Sequence, residues 1–262
     1  MTDILLRQDA GGIATLTLNS PQSLNALSDA MLAALQAQFD ALATDTDTKV
    51  VILEGAGKVF CAGHDLKEMT QGRQAEDGGR AYFHDLFTRC SRVMQSITRL
   101  PQPVIAKPHG IATAAGCQLV ATCDLAVAAH GTRFGVNGVN LGLFCSTPMV
   151  ALTRNIPRKQ AFEMLTTGSF IDTKRAEELG LINRAVDHDD LDAAALEMAQ
   201  VLASKMNGVL GIGKEAFYTQ ITLPLEQAYE YTGEVITANM MMRDTEEGIT
   251  AFLEKRAPEW EK

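Results

Sequence analysis

The chain is short of what stabilises small secreted scaffolds. Its five cysteines, at positions 61, 90, 117, 123 and 145, are odd in number. No pair has CxxC spacing beside histidines, which excludes a disulfide framework and a zinc site and suits a reducing compartment. Positive charge is also scarce: 23 Lys and Arg against 32 Asp and Glu leave a formal charge of -9. No basic stripe or Lys/Arg-rich segment offers itself to nucleic acid, and a polyanionic ligand would need a local cluster working against the overall field. Long apolar runs are missing as well. The longest, Leu119 to Ala129, is interrupted by Asp124 and falls short of the roughly 20 residues of a membrane span. The opening MTDILLRQDAGG is broken by Arg7 and Gln8 and lacks the parts of a secretory leader. These absences predict a cytoplasmic protein with no membrane partner.

What is present is core-forming material: 46% of the 262 residues are hydrophobic, enough for one large domain, or one with a terminal extension. Ile4–Leu6 and Ile13–Leu18 alternate in polarity around Asp9-Ala10-Gly11-Gly12, a hairpin pattern. Ser28 is placed to cap a helix through about Ala43, with Met31, Leu32, Leu35, Phe39 and Leu42 on one stripe. Val50–Leu53, Val104–Ala106 and Leu125–Ala129 read as buried strands. Strands alternating with helices imply right-handed crossovers and a largely parallel sheet. Residues 70–80, TQGRQAEDGGR, read as a mobile loop. Beyond about residue 188 strand signals fade, and four helices are expected, over 191–205, 209–219, 224–242 and 245–255. The expected organisation is a sheet core over 1–190 and a helical region over 191–262.

Two segments carry chemistry. Val59 to Lys67, VFCAGHDLK, leaves a strand through small residues before a helix. His109 to Cys117, HGIATAAGC, turns a strand through small residues straight into another helix. Small side chains let main-chain N–H groups approach a ligand, and a helix N-terminus adds free donors and partial positive charge. Converging, two such loops can aim two donors at one oxygen, the geometry of an oxyanion hole. Apart, each reads more readily as close packing at a strand–helix junction.

Together these segments resemble the crotonase (enoyl-CoA hydratase) family, and the likeness covers nearly the whole chain. Asn25-Ala26-Leu27 resembles its N-A-L segment, and Phe60 to Lys67 its F-x-A-G-x-D-x-K loop. Gly110 to Gln118 followed by Cys123-Asp124-Leu125 resembles its second loop, helix and C-D motif. Phe134-Gly135, Leu165-Thr166-Thr167-Gly168, Gly180-Leu181-Ile182 and Ala251 to Arg256 continue the match in order. The resemblance implies an α/β fold, the ββα spiral, with a mixed, mostly parallel sheet and a helical trimerisation region at the C-terminus. It implies an oxyanion hole from the N–H groups of His64 and Ala115. It places Ala26, Ala62, Leu66, Phe252 and Lys255 near the CoA, Lys255 reaching a neighbouring subunit's ligand in a homotrimer or a hexamer built as a dimer of trimers. Lys255 is equally read as a solvated cation at a helix end. Asp65 and Asp124 match positions that hold loop and strand ends.

The sequence departs from that family where protons move. Hydration needs a base for water and an acid for the α-carbon, which a carboxylate pair supplies. At the two glutamate positions stand Gln118 and Gly138, neither of which exchanges a proton near neutral pH. Ser146, near where some isomerases of the family carry a carboxylate, is non-acidic and reads as an N-cap for the helix ahead of Pro148. Cys117 and Cys145 read as nucleophiles or as small packing residues, His84 as a mobile or a surface histidine, and His109 as a turn-fixing one. The expectation is an acyl-CoA enzyme of hydratase/isomerase type, with weak classical hydration, CoA thioester as substrate, no cofactor and no metal. The alternatives are a non-catalytic acyl-CoA binder, or another enolate reaction such as decarboxylation or thioester hydrolysis.

Overall fold

The computed structural model describes residues 3–206 and 208–260. Strands β1 (Leu5–Ala10) and β2 (Ile13–Leu18) form the antiparallel hairpin, turning through Gly11 and Gly12, both at positive φ. Strand β2 then pairs in parallel with β3 (Val50–Gly55), and β3 with β4 (Val104–Lys107). Strands β6 (Leu125–Ala129) and β8 (Arg184–Val186) complete a six-stranded sheet of order β1-β2-β3-β4-β6-β8, parallel except for the hairpin. Strands buried on both faces favour the near-continuous apolar runs VVIL and VIA. A separate two-stranded parallel sheet joins β5 (Ile111–Thr113) to β7 (Arg133–Gly135). These three-residue strands fall below the length at which sequence alternation is visible.

Helix α1 (Asp29–Leu42) is capped as expected: the Ser28 hydroxyl accepts from the Met31 N–H at 3.2 Å, and the five-residue apolar stripe is buried. Helices α2 (Leu66–Gly72) and α3 (Arg80–Arg99) flank residues 70–80. The expected loop is shorter than residues 70–80, spanning only the turn 73–79. Thr70 to Gly72 finish α2, and Asp77 ties the turn by accepting from the Gly79 and Ala81 N–H groups at 2.9 and 2.8 Å. His84 lies exposed on α3, itself anchored by buried Leu86, Cys90, Val93, Met94 and Ile97.

Helix α4 (Ala115–Thr122) is wholly buried and packs on α5 (Pro148–Asn155), followed by α6 (Arg158–Thr167) and α7 (Thr173–Leu179). The C-terminal helices are α8 (Leu191–Ala203), α9 (Val209–Gln220), α10 (Leu225–Met240) and α11 (Arg243–Glu254). Leu191, Ala195 and Ala199 of α8 close one sheet face over Ile13, Val50, Ile52, Ile105 and Val127; the larger core fills the other face. Beyond α8 burial drops: Leu225, Tyr229, Met241, Phe252 and Leu253 are each 73–82% exposed. Among the described residues no helix is long and apolar enough to cross a membrane.

Candidate functional site

The two small-residue loops lie against each other. Phe60 and Cys61 N–H groups donate to the Ile111 carbonyl at 3.1 and 3.2 Å, and the Thr113 N–H returns to the Cys61 carbonyl at 3.0 Å. This close approach depends on glycine. A Cβ on Gly116 would collide with the Cys61 carbonyl; one on Gly63, whose φ is +92°, would sit 3.0 Å from Ala114 Cβ and 3.3 Å from the Ala115 nitrogen. Ala114, at φ 49° and ψ -118°, occupies a region L-residues rarely enter, a strain of order 1–3 kcal/mol. Its N–H is held by the Gly135 carbonyl at 2.9 Å, so the small sheet's partner strand fixes this turn.

A third segment joins them. The Leu27 N–H donates to the Gly63 carbonyl at 2.7 Å and the Ala62 N–H to the Leu24 carbonyl at 3.0 Å, bringing buried Ala26 beside the first loop. Asn25 holds the bend: its Nδ2 donates to the Ala56 and Val59 carbonyls, and its Oδ1 accepts from the Ser20 N–H. Asp65 caps α2, accepting from the Lys67 and Glu68 N–H groups at 2.8 and 3.3 Å, and Leu66 is 54% exposed just beyond. His109 Nε2 lies 2.9 Å from the Gly57 carbonyl, fixing the turn. Among the described residues, neither the His64 nor the Ala115 main-chain N–H has a protein acceptor.

The positions expected to be proton-active are differently furnished. Gln118 is 5% exposed, and its Oε1 is buried without a partner. Gly138 is buried in the short turn Asn137–Leu141, where a Cβ would sit 2.6 Å from the Leu143 carbonyl and 2.8 Å from Cys145 Sγ. Its missing side chain is therefore a packing requirement, and Cys145 fills the space. Asn137 accepts from the Thr113 hydroxyl at 2.6 Å. Ser146 is exposed, its hydroxyl 3.4 Å from the Phe144 carbonyl; Thr147 occupies the N-cap of α5 without a side-chain cap bond, so the capping role expected of Ser146 is corrected. Burial raises the thiol pKa of Cys117 to about 12 and that of Cys145 above its ordinary value, which disfavours thiolate nucleophiles. Phe252 and Lys255 stand exposed on α11 and at its C-cap, away from the sheet core. Among the described residues no group of three His, Cys, Asp or Glu side chains is arranged to hold a metal.

Sequence reasoning did not find the His64 side chain's surroundings. The ring lies edge-on to Phe87, centroids 5.6 Å apart, with Nδ1 3.4 Å from the Leu27 carbonyl and Nε2 buried without a partner. Burial lowers its pKa below the usual histidine value. Glu68 on α2 accepts from the Asp29 N–H at 2.8 Å, and Arg89 on α3 bonds the Asp29 carboxylate at 2.7 Å. His64 precedes α2 and Glu68 lies within it, and the packing of either on α1 and α3 was not legible in the sequence.

Residues 8–262 match the family model described as Enoyl-CoA hydratase/isomerase. The sequence is 46% identical over 249 residues to the human enoyl-CoA hydratase domain-containing protein 3, mitochondrial, covering 95% of this chain and 80% of that protein. It is 31% identical over 259 residues to a probable enoyl-CoA hydratase of Rhizobium meliloti, covering 98% of each. Among solved structures, an enoyl-CoA hydratase of Mycobacterium smegmatis superposes with a TM-score of 0.94 at 53% identity, covering 98% of both chains. The human domain-containing protein 3 superposes with a TM-score of 0.92 at 44% identity, covering 98% of this chain and all of that one. The α/β architecture is thus that of the crotonase fold. One expectation is overturned: the human, rat and Dictyostelium discoideum relatives are named as mitochondrial proteins, against the cytoplasmic location expected from the N-terminal residues.

Proposed function

Because the chain belongs to the enoyl-CoA hydratase/isomerase family, we propose that it is an enzyme that binds an acyl-CoA thioester and stabilises its enolate between the His64 and Ala115 main-chain N–H groups. The observation that carries this reading is the direction of two peptide planes. In a trans peptide the C=O and N–H point opposite ways. The Gly63 carbonyl is held by the Leu27 N–H on the α1 side, so the His64 N–H points away from α1. The Ala114 carbonyl accepts from the Gln118 N–H at 3.0 Å inside α4, so the Ala115 N–H points out of the helix N-terminus, whose partial positive charge favours an anion. With Gly63 packed on Ala114 and Ala115, the two donors share one small space.

Each donor of such a pair is worth about 10² to 10³ in rate. Ala26, Ala62 and Leu66 edge that space and receive the CoA. Phe252 and Lys255 contribute from a neighbouring copy in a trimer or a pair of trimers, a role supported by the bare apolar side chains of α10 and α11. The bound species is substrate, and no cofactor is needed. Gln118 and Gly138 supply no proton, and a positioned acid or base contributes about 10² to 10⁴, so classical hydration is weak and enolate chemistry with fewer proton transfers is favoured. The packing around Gly138 supports a second reading, an acyl-CoA binder without turnover. Loss of the conjugated absorbance of crotonyl-CoA, with wild type set against Gly63→Ala, tests the proposal. Slow turnover abolished by the substitution supports it. Tight thioester binding without turnover of enoyl, malonyl or saturated thioesters selects the binder, and failure to bind CoA thioesters refutes both.

A further inference from the structure

We propose that the His64 imidazole is a positioning residue: wedged between the Leu27 carbonyl and the Phe87 ring, it fixes the Gly63–His64 peptide and so aims the His64 N–H at the thioester oxygen. The inference rests on the thioester reading above and adds a side-chain role to a residue otherwise acting through its main chain. Two contacts join the same pair of segments. Leu27 donates its N–H to the Gly63 carbonyl at 2.7 Å, and its own carbonyl faces His64 Nδ1 at 3.4 Å. With Nδ1 carrying the proton toward that carbonyl, Nε2 is left as an acceptor, and it is buried with no partner. A buried unpartnered ring nitrogen costs stability, whereas a plain apolar side chain would pack against Phe87 without that cost. Its retention beside the oxyanion donor is explained by the Nδ1 contact, which pins the peptide from its own side chain.

The packing on every side makes the uncharged ring a condition of this geometry. Asp29 faces it from α1 and Arg89 from α3, while Glu68 of α2 is engaged with the Asp29 N–H. Burial lowers the pKa of His64 and Arg89 adds to the effect, while the Leu27 carbonyl and Asp29 oppose it. The unfolded chain takes up the proton at higher pH than the folded one, so the stability contributed by the neutral ring is full above about pH 6.5 and is lost as pH falls through the lowered folded value. Protonation puts a charged N–H at Nε2 where no acceptor stands, and the cost of that buried charge, against the pull of the Leu27 carbonyl, drives the ring toward solvent and off Leu27. Polarisation of the thioester then fails on the acid side, before CoA binding does.

The test uses a conjugated cinnamoyl-CoA, whose absorption moves to the red when its carbonyl is polarised, with free CoA binding measured beside it. Wild type is expected to show a red shift at neutral pH that fades as pH falls through the lowered value of His64. His64→Ala keeps CoA binding within a few-fold but loses most of the shift, and turnover falls about 10²-fold, the scale of a mis-aimed donor. His64→Asn, whose amide donates to Leu27 but does not titrate, restores the shift and makes it independent of pH in that range. A full red shift in His64→Ala, or an unchanged acid limb in His64→Asn, overturns the proposal while leaving the thioester reading intact. If His64→Ala does not fold, the acid limb of His64→Asn decides. A wild-type protein that binds CoA but never shifts the probe, or binds neither, overturns both.

Discussion

Replacing Lys214 by Met should loosen the C-terminal helices from the sheet core. Lys214 is 8% exposed, and its ammonium donates to the Ile97 carbonyl at 2.7 Å, the Gln102 carbonyl at 2.9 Å and Asp124 Oδ2 at 2.6 Å. Asp124 in turn accepts from the Val104 N–H at 2.7 Å, at the start of β4, and from the Tyr218 hydroxyl at 2.8 Å. One carboxylate and one ammonium therefore clamp α9 to a strand and to the end of α3. Burial lowers the lysine's pKa, and the Asp124 carboxylate opposes that shift. Removing one member of a buried, fully bonded pair costs about 3–5 kcal/mol, because the other charge stays behind. At about 2–4 °C per kcal/mol for a chain of this size, the melting temperature should fall by about 6–20 °C, with hydrogen exchange rising first in α9. Asp124→Asn combined with Lys214→Met removes the stranded charge and should recover part of the loss, a coupling of about 0.5–3 kcal/mol. A melting point within about 2 °C of wild type for Lys214→Met, or single costs that simply add in the double variant, would refute the reasoning.

Installing the hydratase carboxylate by Gly138→Glu should destabilise the protein and give no hydration of crotonyl-CoA, because its Cβ meets the Leu143 carbonyl and Cys145 Sγ; the conjugated absorbance and a melting curve check both halves. Gly110→Ala should fold poorly or not at all, since φ is +63° and the added carbon meets the Lys58 carbonyl, as soluble yield and circular dichroism will register. Met241→Glu with Leu225→Glu should reduce the assembly to smaller species by light scattering, both side chains being bare in the single chain; an unchanged mass would remove α10 and its flank from the subunit contact. The buried thiols of Cys61, Cys90 and Cys117, each with its pKa pushed up to about 12 by desolvation, should resist a disulfide reagent at pH 8 until the protein is unfolded. Rapid titration of any of the three in the native state would contradict that burial.

The strands and the α1 cap were legible because their causes are local: a run such as VVIL, or a serine three residues ahead of an amide it can accept from. The meeting of the two loops was legible for the same reason, since only small residues let two backbones touch as Gly63 and Ala114 do. The small sheet was not, because three residues carry no readable period and its partners lie twenty-two residues apart. Ser146 misled for a related reason. A hydroxyl ahead of proline fits a cap by pattern, yet the chain places Thr147 at the helix start and turns Ser146 to solvent.

What a side chain does at this site depends on neighbours from distant parts of the chain, and there the sequence was silent. Gly138 reads as a missing acid when aligned with its family, but in the fold it is a residue that Cys145 and Leu143 do not allow to grow. The difference matters for chemistry. If the glutamate had merely been lost, restoring it would restore a hydratase; because a Cβ at Gly138 meets the Leu143 carbonyl and Cys145 Sγ, the turn has no room for one. Gln118 fits the proposed arrangement, a neutral and buried amide that would add no negative charge next to a developing enolate. On the proposed reading the site's electrostatics come from two peptide N–H groups and a helix N-terminus, and anything that tilts the Gly63–His64 peptide removes one of the two N–H donors.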